Sequence, residues 1–261
     1  MGSDCMLLVM DMGNTCITLG IYKKEELLVT ARLATDRNRT EDQYASDLLS
    51  IFTLYQIAPK EIHGAILGSV VPSLNFAITM AVKKVADVTP LVVGSGIKTG
   101  LNITIDDPAQ TGADLVCGAV AATTKYPMPC IVYDLGTATT ITVLNQKGEF
   151  LGGTITAGIG ISLDALSSRT SQLPHVSLKN PEKVIGTNTV NAMKSGLIYG
   201  TASMMDGMAD RIEQELGMGA TLVATGGRAK EVIPYCKRDF VLDDNLLLDG
   251  LRILFEKNQK K

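Results

Sequence analysis

One pattern of apolar and polar positions occurs twice along the chain. Leu8-Val9-Met10 leads into Asp11-Met12-Gly13-Asn14-Thr15, then Ile17-Thr18-Leu19-Gly20-Ile21-Tyr22, the polar Lys24-Glu25-Glu26 and Leu27-Leu28. Further on, Ile131-Val132-Tyr133 leads into Asp134-Leu135-Gly136-Thr137-Ala138, then residues 139–144, Lys147-Gly148-Glu149 and Phe150-Leu151. Each copy reads as an apolar strand, an Asp-x-Gly turn, a second strand, a polar turn and a third strand. Asp11 aligns with Asp134, and Gly13 with Gly136. The repeat predicts two copies of one domain, each opening on a β-hairpin.

Behind each hairpin the spacing becomes α/β. Tyr44, Leu48, Leu49 and Phe52 predict an amphipathic helix over 42–54. Residues 65–71 read as a buried strand, 74–86 as a helix and 90–93 as a short strand. An Ala-rich helix is predicted over 112–124. A long one follows over 189–216, punctuated by Gly196, Gly200 and Gly207 and closed by Gly217. A strand over 222–225, a helical start over 228–233 and a last helix over 246–255 complete the reading. Pro108 and Gly112 mark the expected division into residues 1–110 and 111–261.

Composition narrows the class. The 261 residues are 46% hydrophobic, too apolar for a disordered chain. Lys plus Arg is 24 against 27 for Asp plus Glu, a formal net charge of -3, which argues against nucleic acid as a partner. Tryptophan is absent, so base-stacking platforms are not expected. Cys5, Cys16, Cys117, Cys130 and Cys236 are scattered, with no C-x-x-C pair, and read as reduced thiols of a cytoplasmic protein. The uncharged stretch 64–82 is broken at Val71-Pro72 and reads as strand, turn and helix, not a membrane span.

Several motifs fail on inspection. Gly94-Ser95-Gly96-Ile97-Lys98-Thr99 resembles a phosphate loop but has Ile97 where Gly must precede Lys. His63 and His175 are too isolated for a metal or catalytic cluster. The two Asp-x-Gly turns are more informative. Glycine lets backbone N–H groups approach a phosphate, and Asn14, Thr15, Thr137, Thr139 and Thr140 add donors. An Asp in each turn can hold a cation or its waters. Gly226-Gly227, after the 222–225 strand, offers a third backbone approach, suited to a nucleoside.

These residues carry a resemblance. Asp11-Met12-Gly13-Asn14-Thr15, Gly112-Ala113-Asp114, Asp134-Leu135-Gly136-Thr137-Ala138-Thr139-Thr140, Gly152-Gly153-x-Ile155, Gly186-Thr187-Asn188-Thr189 and Thr225-Gly226-Gly227 together resemble the type III pantothenate kinases, in order and over nearly the whole chain. The resemblance implies an α/β fold of two ribonuclease-H-like (actin-like ATPase) domains with a central cleft. It implies phosphorylation of the pantothenate hydroxyl by Mg-ATP, the first step of coenzyme A synthesis. It also implies a potassium or ammonium ion and a homodimer. The Met-rich, Gly-punctuated helix around Met204, Met205 and Met208 offers its apolar face either to a second copy or to the interior of its own subunit. By the same resemblance, Asp11, Gly13, Asn14, Thr15, Thr18, Thr137, Gly226 and Gly227 bind ATP, with Asp11 near the magnesium. Asp134 helps hold the monovalent cation. Asp114 is the catalytic base, and Gly112, Ala113, Leu115, Ile105 and Thr189 line the substrate.

Three positions depart from the family pattern. Leu115 stands where Gly-x-Asp-Arg requires arginine, Ile105 where tyrosine is usual, and Ala157 where proline is usual. Leucine offers no donor to an anion. Removing one transition-state donor costs roughly 3 kcal/mol. Three readings follow: an active pantothenate kinase with a remodelled pocket, a kinase for a different small hydroxyl compound, or a nucleotide-binding regulatory homologue without turnover. Under the first, Arg169 or Arg228 would take over the missing guanidinium, and Leu115 would pack with Val116 and Val120.

Overall fold

The computed structural model describes residues 5–178 and 180–259. Two compact units emerge. The first takes the chain up to Gly100, Asp107–Ala121 and the chain from Leu246 onward; the second takes Leu101–Asp106 and Ala122–Asn245.

The first unit is built on a five-stranded sheet with the order β3-β2-β1-β4-β5. Its strands are β1 (Met6–Met12), β2 (Cys16–Lys23), β3 (Glu26–Ala34), β4 (Ile62–Ser69) and β5 (Leu91–Val92). The first three form an antiparallel meander, and β4 and β5 continue from β1 in parallel. Helices α1 (Glu41–Leu54) and α2 (Asn75–Ala86) pack on the sheet, closing a core around Met10, Leu19, Tyr44, Phe52 and Ile78. Thr40 starts α1 with a capping box: its Oγ1 accepts from the Gln43 N–H, and Gln43 Oε1 accepts from the Thr40 N–H. Tyr44, Leu48 and Phe52 are buried as the spacing predicts, whereas Leu49, one residue round the helix, is 49% exposed. The uncharged stretch 64–82 becomes β4, a turn at Pro72 and α2. No helix among the described residues is long and apolar enough to cross a membrane.

The second unit repeats this order with strands β10-β9-β6-β7-β8. They are β6 (Cys130–Leu135), β7 (Ala138–Leu144), β8 (Phe150–Ala157), β9 (Thr221–Thr225) and β10 (Val241–Leu242). Again three strands form an antiparallel meander and two continue in parallel. The sequence echo is therefore a duplicated topology. Helices α3 (Ala113–Lys125), α4 (Ile159–Arg169), α5 (Thr189–Leu216), the short α6 (Ala229–Val232) and α7 (Leu246–Asn258) complete the chain. Gly196, Gly200 and Gly207 sit inside α5 without breaking it. Gly217 closes it in the left-handed conformation, φ 71°. Met205 is fully buried, and Met204 and Met208 pack against the core of their own unit. Met205 is thus a core residue and Met204 and Met208 are half-buried against that core, the second of the two expectations for this helix.

A single division after residue 110 does not match the two units, and α7 supplies the reason. Its apolar face packs on β1 and β4, with Leu251 and Leu254 fully buried. Gly250 meets α3 backbone to backbone: a methyl group there would lie 2.6 Å from the Cys117 carbonyl carbon. Tyr22 Oη on β2 donates to Asp249 Oδ1 at 2.7 Å. The last helix therefore belongs to the first sheet.

Candidate active site

In the first unit the motif residues gather at one end of the sheet. Asp11 stands near the end of β1, half-buried, opposite Thr18 on β2 and Gly68 on β4. The turn that follows is closed by the Gly13 N–H donating to the Cys16 carbonyl at 3.0 Å, and it leaves Asn14 and Thr15 exposed. Asp114 lies in the first turn of α3, where the helix dipole favours a carboxylate. Its Oδ1 accepts from the Leu115 N–H at 2.9 Å and folds back over Gly112, where any side chain would collide with it.

Cys117, one helical turn beyond Asp114, lies against β4 at Gly68, the strand partner of Asp11: a methyl group at Gly68 would stand 3.5 Å from the Cys117 Sγ. Burial pushes its thiol well above the ordinary range, and the negative charges of Asp11 and Asp114 push it further. Gly68 thus ties the Asp11 rung of the first sheet to the head of α3, which carries Asp114. Gly112 and Ala113 accompany Asp114 at the head of α3. Leu115 is only half-buried, unlike Val116 and Val120, so it is not a core residue of α3. It sits beside the Asp114 carboxylate at the position where a guanidinium is expected.

In the second unit Asp134 repeats the position of Asp11. It stands near the end of β6, opposite Thr140 on β7 and Thr225 on β9. Three backbone segments converge on it. The β6–β7 turn is closed by the Gly136 N–H donating to the Ala138 carbonyl at 3.0 Å. Gly158, next to Ala157, donates to the Thr137 carbonyl at 3.1 Å, and Arg228 donates its N–H to the Leu135 carbonyl at 3.2 Å. Gly226 adopts φ +91°, and a methyl group there would collide with Asp134 Oδ1 and lie 2.6 Å from the Leu135 nitrogen. Only glycine satisfies both the conformation and the contact. Thr137 and Gly227 are exposed beside this junction. Thr139, expected as a donor, is 2% exposed and belongs to the interior. Arg228 is committed to Glu231, with both carboxylate oxygens at 2.8 and 3.0 Å.

Thr189 lies elsewhere in the second unit, as the first residue of α5. Asn188 caps that helix, its Oδ1 accepting from the Asn191 N–H at 2.9 Å. Thr187, Asn188 and Thr189 line a recess of about 680 Å³ whose apolar wall includes Leu166, Leu173 and Met193. Ile105 is in the same unit, next to Gly152 of β8. Two arginines that no motif singles out flank the first turn. Arg32 Nε donates to Cys16 Sγ at 3.2 Å, and Arg37 Nη2 donates to Asn14 Oδ1 at 3.2 Å. The strand register sets Arg32 opposite Thr18, whereas Arg37, beyond the end of β3, had no signal in the sequence.

Each unit by itself thus sets a half-buried carboxylate near the end of a central strand beside a glycine turn, a local arrangement suited to handling phosphate or a cation. Among the described residues no three His, Cys, Asp or Glu side chains cluster as a protein-only metal cage. Magnesium does not need one: it is bound by one or two carboxylates, substrate phosphates and waters, and Asp11 fits that donor set.

Comparison with known proteins agrees with this arrangement. Residues 7–211 match the family model for type III pantothenate kinase. A type III pantothenate kinase of Halalkalibacterium halodurans is 43% identical over 253 residues, covering 97% of this chain and all of the relative. One from Brevibacillus brevis is 42% identical over 254 residues, again covering 97% and 100%. Among solved structures, a conserved Baf family protein of Campylobacter jejuni superposes with a TM-score of 0.58 at 20% identity, covering 96% of this chain and 98% of that one. Component A of the Acidaminococcus fermentans (R)-2-hydroxyglutaryl-CoA dehydratase superposes with a TM-score of 0.59 at 15% identity, covering 98% and 100%. The structural likenesses establish the ribonuclease-H-like, actin-like α/β fold. The sequence likenesses go further: the chain belongs to the type III pantothenate kinase family.

Proposed function

We propose that the protein is an ATP-dependent kinase that phosphorylates the hydroxyl of pantothenate, the first step of coenzyme A synthesis. Family membership supports the reaction. The geometry that supports its chemistry is the packing of Gly68, the strand partner of Asp11, against Cys117, one helical turn from Asp114. The Asp11 turn, with Gly13, Asn14, Thr15 and Thr18, binds the phosphates. Thr137 and Gly226-Gly227 bind the rest of the nucleotide. Gly112, Ala113, Leu115, Ile105 and Thr189 meet the acceptor.

In the reaction the acceptor hydroxyl oxygen bonds to the γ-phosphorus as the bond to the ADP oxygen breaks. The hydroxyl proton passes to the Asp114 carboxylate. Such transfers need positioning and charge neutralisation more than a strong base. Asp11 would hold a magnesium ion, which when bound would supply charge neutralisation for the transferring phosphate. Asp134, with the oxygens of Thr140 and Thr225 on the neighbouring strands, supports a potassium or ammonium site. A homodimer is proposed from the family, with apolar Ile155 and Ile185, 72% and 81% exposed, as surface for it. The five free cysteines suit the cytoplasm.

A second reading is favoured by one observation: Leu115 places an apolar side chain beside Asp114. That suits an acceptor alcohol less anionic than pantothenate. One assay separates the readings: ATP turnover with pantothenate and with a panel of small alcohols, in potassium and in sodium buffer. Turnover on pantothenate, faster in potassium, supports the proposal. Turnover only on another alcohol selects the second reading. Nucleotide binding without turnover on any acceptor leaves a regulatory homologue. Equal rates in the two buffers reject the monovalent-cation site, and a monomer mass by light scattering at micromolar concentration rejects the dimer.

A further inference from the structure

The charges around the first turn point to a residue outside the motif. Residues 12–18 carry no charged side chain, while Asp11 at their head is a carboxylate, and Asp114 heads the helix that packs through Cys117 on Gly68, the strand partner of Asp11. A polyphosphate brought there meets like charge, and one magnesium offsets only part of it. Leu115 removes the guanidinium expected beside Asp114.

Positive charge reaches the turn from β3 and the loop after it. Arg32, opposite Thr18, lies against Cys16. Arg37 is exposed, and its one hydrogen bond among the described residues goes to Asn14 at 3.2 Å. A guanidinium has five donors, so most of the fork stays available to an anion.

The loop that carries Arg37 is built onto the turn. Thr35 donates from Oγ1 to the Gly13 carbonyl at 2.7 Å and from its N–H to the Thr15 carbonyl at 3.0 Å. Those bonds engage two acceptors that would otherwise repel phosphate oxygens. Asp36 is clamped by buried Tyr44, whose hydroxyl donates to the Asp36 carbonyl at 2.8 Å and accepts its N–H at 3.1 Å. Arg37 is thus held at the turn by the bonds of the two residues that precede it in sequence.

We infer that Arg37 is a phosphate-contacting residue, its guanidinium pairing with the terminal phosphate of the bound nucleotide, while Arg32 adds a second positive charge. The planar fork suits two phosphate oxygens at once. The inference rests on the reading of the Asp11 turn as the phosphate site.

Calorimetric titration of Mg-ATP and Mg-ADP into the wild-type protein and into Arg37→Ala, Arg37→Gln and Arg37→Lys tests it. Arg37→Ala should weaken ATP at least tenfold and ADP less than threefold, with an unchanged melting curve. Arg37→Lys should recover part of the loss. Arg37→Gln keeps an amide donor for Asn14 without the charge, so it should behave like Arg37→Ala. A Gln variant that binds ATP like the wild type, or an Ala variant that loses ATP and ADP equally or not at all, overturns the inference and leaves the turn's role standing. A wild-type protein that binds neither nucleotide overturns the phosphate-site reading itself, and the inference with it.

Discussion

Gly226 and Asp134 are fitted to each other: the Asp134 carboxylate occupies the space that any side chain at Gly226 would need. The backbone there has φ +91°, which costs a non-glycine residue about 1–3 kcal/mol in strain. Gly226→Ala should therefore move the carboxylate as well as strain the turn. We expect the KM for ATP to rise at least tenfold and the potassium response to weaken, with a lower melting temperature. Steady-state kinetics across ATP and potassium concentrations check this. Kinetics equal to wild type in both would separate Asp134 from the nucleotide.

Asp114→Asn should reduce kcat at least a hundredfold, in the range expected for loss of a general base. Nucleotide affinity should stay within twofold, because Asp114 is proposed to face the acceptor hydroxyl. Single-turnover kinetics beside nucleotide titration measure both, and unchanged turnover would remove Asp114 from the mechanism.

Leu115→Arg combined with Ile105→Tyr should raise kcat/KM for pantothenate between several-fold and a hundredfold. The arginine adds a charge-assisted donor next to the Asp114 carboxylate, and the tyrosine adds a hydroxyl. Leu115 is only half-buried, so the guanidinium can stay solvated and the fold should hold. A folded double variant with no gain on pantothenate would mean that other residues set the acceptor.

Stability should fall in alkali through the buried thiols. Burial pushes Cys130 up to about 12 from an ordinary 9.0. Below pH 9 the thiol is neutral in the folded and unfolded chains alike, and it contributes no slope. Between pH 9 and 12 the unfolded chain ionises first, so the folded state loses ground as pH rises. The loss from this one group is about 1.4 kcal/mol at pH 10. Urea unfolding of wild type and Cys130→Ala at pH 8 and pH 10 should show a stability gap that narrows at the higher pH. A constant gap would contradict the assignment.

Much of this was legible in the chain. The repeated hairpin announced both sheets, and the register then set Asp11 and Asp134 on like rungs, each with a threonine across the antiparallel pair. The Gly217 stop was readable because it is local. What escaped was long-range or weakly patterned. Helix α4 carries Gly160, Ser162 and Ser167 among its apolar residues, and β10 has only two residues. Met204, Met205 and Met208 left an interface and burial within one subunit both open, because periodicity cannot say which surface an apolar stripe meets. Arg37 was invisible because it reaches Asn14 from 23 positions away through a loop fixed by Tyr44.

The placement of α7 bears on the order in which the molecule can be made. A ribosome releases the five strands of the first sheet early, yet the helix that covers β1 and β4 is translated only after the entire second unit. Until then Gly64 and Gly68 on β4 lack Phe255 and Leu251 above them, and an apolar sheet face waits in water. Nascent chains stalled before Leu246 should therefore bind holdase chaperones and resist becoming protease-stable, even though they contain almost every residue of the phosphate-handling turns.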